Sequence, residues 1–247
     1  MSDNKQELPV INLQHLAIIL DGNGRWAHER GLEVSDGHKA GADNIVKFVK
    51  LLIKDYPYIK YLTVYAFSKE NWGRSSLEVA FLMKLFEECL DKCLTEFHKE
   101  NVKIQFLGNR AKIGTTLQNK MQEIEEKTKN NDGFTFNICL SYSGREEIVD
   151  AVKKIHQDVL DKKLNINDLN EDLFKNYLYN PVAPYPDLVV RTGGDVRLSN
   201  FLLWEVAYSE FYSTKTYWPA FDKEALDDAL ENFRNRKRNF GKKHAFK

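Results

Sequence analysis

The sequence predicts a single-domain α/β fold, an open and mainly parallel β-sheet flanked by helices. Three observations predict it. Short apolar runs alternate with longer amphipathic stretches, the pattern of strand-helix alternation. The first run, LAIIL at 16–20, is continuously apolar, as in a strand covered on both faces. No internal repeat, low-complexity tract or linker divides the 247 residues, a length one α/β domain of up to about 250 can hold.

Similar runs at 61–67, 102–107, 134–140 and 187–191 complete five predicted strands. After the first of the five, HKAG opens the first helix. Between the second and third, Val79, Leu82, Met83, Phe86, Leu90, Cys93, Leu94 and Phe97 recur at three- and four-residue steps, marking one face of a long amphipathic helix. That face reads as core, with part of it free to line an apolar channel. Ser75 and Glu78 form a capping box at its start. Ser143 and Glu146 repeat the box before a helix carrying Ile148, Val149, Val152 and Ile155. Residues 165–186, with Pro181, Pro184 and Pro186, are the most loop-like, interrupted by a helical piece at 169–178. The last helix begins at Asp222 and ends near Gly241, with Arg236, Lys237 and Arg238 in its final turns.

Lys plus Arg equals Asp plus Glu at 36 each, which excludes a strongly basic nucleic-acid footprint. With 43% hydrophobic and 29% charged residues the composition is globular. No apolar run approaches the roughly 18 residues of a membrane span, and the start lacks the build of a secretory signal, so a cytoplasmic location is expected. Cys89, Cys93 and Cys139, an odd count with no CxxC, make a poor disulfide or zinc framework. Cys89 and Cys93 read as core residues.

The chemistry concentrates at strand exits. DGNGRWA places Asp21, Gly22, Gly24 and Arg25 directly after the first strand, where open α/β sheets bind ligands. Asp21 suits a hard cation, and magnesium takes one or two carboxylates and completes its shell with water and phosphate oxygens. GNGRWA also fits the loose dinucleotide pattern, with Asp43 in the ribose-binding position, and a strand-ending turn without a ligand is the plain alternative. The second strand exits into Ser68, Glu70, Asn71, Trp72 and Arg74; there Glu70 with Arg74 also reads as an exposed ion pair. The fifth exits into Arg191, Gly193, Gly194, Arg197 and Ser199, arginines flanking a glycine turn as in an anion clamp. His38 joins the set if its helix start faces the crevice.

In this order HLAIILDGNGRWA, GHKAG, LTVYAFSKENWGR, NICLSYSGREEIVDAV and PDLVVRTGGDVRLSNFLLWEVAYSEFY resemble the cis-prenyltransferase, or undecaprenyl diphosphate synthase, family. The resemblance runs over 15–241, between a flexible 1–14 segment and a 242–247 tail. It implies a transferase that condenses isopentenyl diphosphate repeatedly onto an allylic diphosphate such as farnesyl diphosphate, with cis geometry. It also implies Mg2+, a homodimer and a hydrophobic tunnel for the growing chain. The product would be undecaprenyl diphosphate, precursor of a cell-wall lipid carrier, or a longer dolichol-type chain. A product of that kind implies transient peripheral contact with a membrane. Carried onto this sequence, Asp21 is the magnesium and catalytic carboxylate, and Gly22, Asn23, Gly24 and Arg25 cradle the allylic diphosphate. Trp26, His38, Ser68, Lys69, Glu70, Trp72 and Arg74 contact substrate, and Asn71 belongs to the proton step. Arg191, Arg197, Leu198 and Ser199 face isopentenyl diphosphate, and Glu210 is a second magnesium ligand near the dimer interface. Three departures from the family pattern stand out: Glu33 and Val34 where a basic residue is frequent, Asn239 before Phe240 and Gly241, and Asp195 where Glu is common. A dinucleotide-binding oxidoreductase leaves NWGR, Arg191, Arg197 and Glu210 without a task. A non-catalytic partner subunit has no need of Asp21.

Overall fold

A computed structural model describes residues 12–237. The five predicted strands are present as β1 (His15–Ile19), β2 (Tyr61–Ser68), β3 (Val102–Leu107), β4 (Phe134–Tyr142) and β5 (Leu188–Arg191). A sixth, β6 (Glu210–Ser213), pairs along β5. All pairings are parallel, in the order β3-β4-β2-β1-β5-β6. β6 escapes sequence reading because its four residues, EFYS, hold no apolar run and are all half-buried at an edge.

The helices are α1 (Asn23–His28), α2 (Val34–Asp55), α3 (Ser76–Lys99), α4 (Thr115–Thr128), α5 (Gly144–Leu160), α6 (Glu171–Lys175) and α7 (Lys223–Arg234). Alternate residues of β1 feed opposite layers. Leu16 and Ile18 join the larger core with Phe48 of α2, Phe97 of α3 and Leu226 of α7. Ala17 and Ile19 join a smaller aromatic core with Tyr65, Tyr142 and Phe201. Both faces being covered is what the continuously apolar strands require.

Several expectations shift. DGNGRWA forms α1, too short for a periodicity signal, so HKAG does not open the first helix: α2 begins at Val34 and His38 lies in its second turn. Ser75 and Ser143 do cap α3 and α5, accepting Glu78 N–H at 3.2 Å and Glu146 N–H at 3.3 Å. The carboxylates do not reciprocate; Glu78 takes Arg74 and Glu146 takes Lys69. The helical piece expected at 169–178 shrinks to α6, and a separate 3-10 turn, Ile166–Asp168, precedes it. Asp222 caps α7, accepting Ala225 N–H at 3.1 Å, but the helix stops at Arg234, short of Arg236 and Lys237. Arg238, Asn239 and Gly241 lie outside the described residues, as do most of 1–14 and all of 242–247. Leu13, within the first of these, is fully buried. Val149 and Val152 stand about half exposed while Ile155 is buried, so α5 turns part of its apolar stripe outward. Cys93 and Cys139 are buried, Cys89 is half-buried, and all three are free thiols. Among the described residues no helix is long and apolar enough to cross a membrane.

Candidate active site

The chain leaves β1 toward β2 on one side and returns as β5 on the other, so their carboxyl ends part at a topological switch point. A crevice of about 670 Å³ opens there, walled by Asp21, His38, Asn71, Arg74, Arg191 and Ser199 among others.

Asp21 sits at its centre. Its Oδ1 accepts Gly22 N–H at 2.7 Å and Arg25 Nη2 at 3.1 Å, and its Oδ2 accepts Arg191 Nη2 at 2.8 Å. Burial pushes the carboxyl up, but the hydrogen bond and charge of Arg191, the charge of Arg25 and the Gly22 N–H outweigh it. The carboxyl therefore lies below its usual range and is ionised. Arg191 ends β5 and is 4% exposed. Its Nη1 donates to Ser199 Oγ at 2.7 Å and to the Arg197 carbonyl at 2.6 Å, while its buried Nε has no partner. Arg25 Nη1 donates to the Gly193 carbonyl at 2.7 Å. Two glycines make this packing feasible. Gly22 caps α1 at φ 99°, where a Cβ would lie 2.4 Å from the Tyr217 ring. Gly193 turns at φ 86°, where a Cβ would lie 2.7 Å from Arg25 Nη2.

The second wall is a 3-10 turn, Lys69–Gly73, closed by a reciprocal capping box. Asn71 Oδ1 accepts Ser68 N–H at 2.9 Å, which turns its amide NH2 into the donor available to the crevice. Arg74 Nη1 donates to Glu78 Oε1 at 2.9 Å, and the same oxygen lies 3.6 Å from His38 Nε2. Burial, then the charge of Arg74, lower the His38 imidazole against the pull of Glu78, so it is neutral at neutral pH. His38 Nε2 and Asn23 Oδ1 are both buried and without hydrogen bonds. These two residues also wall an apolar cavity of about 70 Å³ between α2 and α3, lined by Leu82, Phe86, Leu90 and Ile138.

Other sequence-predicted residues turn elsewhere. Lys69 pairs with Glu146 at 3.1 Å. Trp72 packs edge-on against Phe67 and donates to Ser141 Oγ at 2.9 Å. Trp26 lies under Arg30. Gly24 meets Val34. Arg197 is bidentate to Asp195, at 2.8 and 2.9 Å, and Leu198 packs into the aromatic core. Glu210 is not brought to the crevice: it pairs in register with Leu188 and its carboxylate takes Arg236 Nη1 at 2.8 Å. Strand spacing and register put it about 20 Å from Asp21. Asp43 sits on α2 beside Lys92, away from the glycine turn, so the dinucleotide reading has no ribose-binding acid.

Asn200 is the residue that motif reading missed. Its Nδ2 donates to Glu70 Oε1 at 2.9 Å and Ser143 Oγ at 2.8 Å, its Oδ1 accepts Arg145 N–H at 2.9 Å, and its carbonyl accepts Gly144 N–H at 2.8 Å. It does so at φ 69°, a left-handed conformation that Asn tolerates. Three strand exits are thus fastened by one amide.

The fit to a divalent cation rests on oxygen chemistry. The ionised Asp21 carboxylate is a hard oxygen donor that lines the open crevice. Among the described residues no cluster of three or more His, Cys, Asp or Glu could hold a metal alone.

A family profile described as putative undecaprenyl diphosphate synthase matches residues 19–241. The chain is 44% identical over 239 residues to an isoprenyl transferase of Clostridium tetani, covering 96% of this chain and 93% of that one. It is 41% identical over 228 residues, 92% of this chain and 95% of the other, to a Legionella pneumophila protein named ditrans,polycis-undecaprenyl-diphosphate synthase ((2E,6E)-farnesyl-diphosphate specific). Its structure is similar to that of lavandulyl diphosphate synthase from Lavandula x intermedia in complex with dimethylallyl diphosphate, with TM-score 0.87, 35% identity, and 93% and 98% of the two chains covered.

Proposed function

The chain belongs to the undecaprenyl diphosphate synthase family of prenyltransferases, and from that premise we propose that it condenses isopentenyl diphosphate repeatedly onto farnesyl diphosphate in the cis geometry. The product is a long polyprenyl diphosphate, undecaprenyl diphosphate in the first instance, as precursor of a cell-wall lipid carrier. The observation that carries the reading is the ionised Asp21 held between Arg191 and Arg25 in a polar crevice that meets an apolar cavity at Asn23 and His38. A diphosphate with a prenyl tail has that polarity. The relative from Lavandula holds a prenyl diphosphate, and the Legionella relative is named for a farnesyl-specific one.

Magnesium held by Asp21 would neutralise the diphosphate and stabilise the leaving oxygens as positive charge develops on the allylic carbon. Arg25 and the N–H groups at the start of α1 offer the allylic diphosphate fixed donors. Arg191, with its free Nε–H, and Ser199 face the second diphosphate, and Arg197 joins by releasing Asp195. Asn71 donates through its amide and so orients substrate. Neutral His38, with Nε2 free of hydrogen bonds, accepts the proton lost when the new double bond forms. Glu210 reaches a magnesium site only from another copy of the chain. A homodimer supplies that copy, and the outward Val149 and Val152 of α5 give it apolar surface. A polyprenyl product leaves into a bilayer, which makes the membrane contact peripheral and transient.

The test is incorporation of radiolabelled isopentenyl diphosphate with farnesyl diphosphate, with and without magnesium, followed by chain-length analysis. A magnesium-dependent ladder ending near one length is expected. Absence of incorporation by well-folded protein overturns the reading in favour of a partner subunit.

A further inference from the structure

The stretch that carries Ser199 and Asn200 beside the crevice ends on a pair of carboxyl groups for which the proposed reaction has no use. Glu147, in the first turn of α5, is 1% exposed. Its Oε2 accepts the Tyr142 phenol, and its Oε1 accepts Tyr179 N–H at 2.7 Å. Donors on both oxygens are what an ionised carboxylate takes. Glu205 lies against it; its Oε2 is shut off from solvent and unpartnered, and among the described residues the only donors reaching its carboxyl are the backbone N–H groups of Trp204 and Glu205 itself. Two ionised carboxylates do not share a dry site, so the pair needs one proton. The donors already on Glu147 leave that proton to Glu205. Burial, then the charge of Glu147, push the Glu205 carboxyl up to about 8.

Among the surrounding groups one cation, Lys154, acts on the pair. Cys139 and Tyr142 of β4 are raised well above their ordinary values by burial. Tyr179, following α6, gives its hydroxyl to Asp150 of α5 at 2.7 Å and faces Glu146. Lys154, also on α5, is the cation that acts on Glu147, and it lies over the Tyr179 ring. The other end of the same stretch is fastened to the same helix, where Gly144 and Arg145 donate to Asn200.

We propose that Glu205 carries a proton and donates it to Glu147, a one-proton clip that seats residues 199–205 on α5 and makes Glu205 a positioning residue for Ser199 and Asn200. When the proton leaves, two negative charges face each other between the helix and the stretch, and the stretch lifts. Ser199 then loses its place beside Arg191. The effect on turnover rests on the crevice being the diphosphate site proposed above; the proton itself does not.

Two measurements on the full chain test the clip. Glu205→Gln keeps a donor toward Glu147 and abolishes the titration, whereas Glu205→Ala keeps neither. In the prenyl-transfer assay the unaltered chain is expected to lose about tenfold in kcat/KM for isopentenyl diphosphate between about pH 7 and about pH 9, through KM. E205Q stays flat over that range, and E205A is impaired throughout. By infrared difference spectroscopy the unaltered chain shows a protonated-carboxyl carbonyl band that disappears as the pH rises through about 8 and is missing in E205Q. An alkaline decline that persists in E205Q, or a carbonyl band absent from the unaltered chain at neutral pH, overturns the clip. A chain with no turnover at any pH overturns the proposed function and leaves the infrared band to decide the clip alone.

Discussion

Asn71 illustrates how a motif names a residue without giving its task. Its amide oxygen is committed to Ser68 N–H, and that bond closes the turn that also carries Glu70 and Arg74. What remains for a ligand is a donor, so a base role is closed to it. Asn71→Asp keeps an acceptor for Ser68 N–H, replaces the NH2 donor by a second carboxylate oxygen and adds a negative charge to the crevice. Steady-state kinetics of N71D are therefore expected to show KM raised about tenfold to a hundredfold with an unchanged circular-dichroism spectrum. An unchanged KM would place the amide outside substrate contact. Asp21 and Arg191 were legible in the sequence because each follows or ends a strand, where chain direction alone delivers a side chain to the crevice, and Arg25 because it lies in the short helix that opens just after β1. Asn200 and Glu205 were not. Their roles arise from contacts with Glu70, Ser143 and Glu147, distant segments that no spacing rule links.

At the level of elements, the sheet is tied at its amino-terminal end by a directional chain of hydrogen bonds. His15 Nδ1 lies 2.6 Å from the Pro184 carbonyl, which can only accept, so Nδ1 carries the proton. Nε2 then accepts from Thr63 Oγ1 at 2.8 Å, and Thr63 accepts from Asn137 Nδ2 at 3.0 Å. The chain crosses β1, β2 and β4 and holds the loop before β5. Burial lowers His15 from 6.5 to about 4, against the Pro184 bond and the Asp187 charge. The unfolded chain therefore takes up a proton that the folded one refuses, and stability falls as the pH drops from about 6.5 toward about 4. A shift of that size amounts to about 3 kcal/mol in full. Urea unfolding of the unaltered chain at pH 5 should fall about 2 kcal/mol below its value at pH 7 from this group, a slope missing in His15→Asn. Equal slopes in both chains would relieve His15 of the role. The strands themselves were readable from continuous apolar runs, whereas α1 and β6 were not, being too short to show a period. The end of α7 was misjudged because charge suited to a helix end does not by itself hold one.

Across the whole molecule, the two proposed magnesium carboxylates stand at opposite ends of the parallel strands. Asp21 follows the carboxyl end of β1, Glu210 begins β6, and Arg236 holds the latter within its own chain. If both serve one metal, they come from different copies, and each site of a dimer is built from Asp21 of one copy and Glu210 of the other. Asp21→Ala and Glu210→Ala should each lower turnover about a hundredfold to a thousandfold, on the scale of losing a group aimed at developing charge. Mixing the two variants under conditions that exchange subunits then separates the arrangements. In a mixed dimer both lesions fall on one site and the other is intact, so random exchange should return about a quarter of the unaltered activity. Were Asp21 and Glu210 to act within one chain, every site in the mixture would carry a lesion and no activity would return.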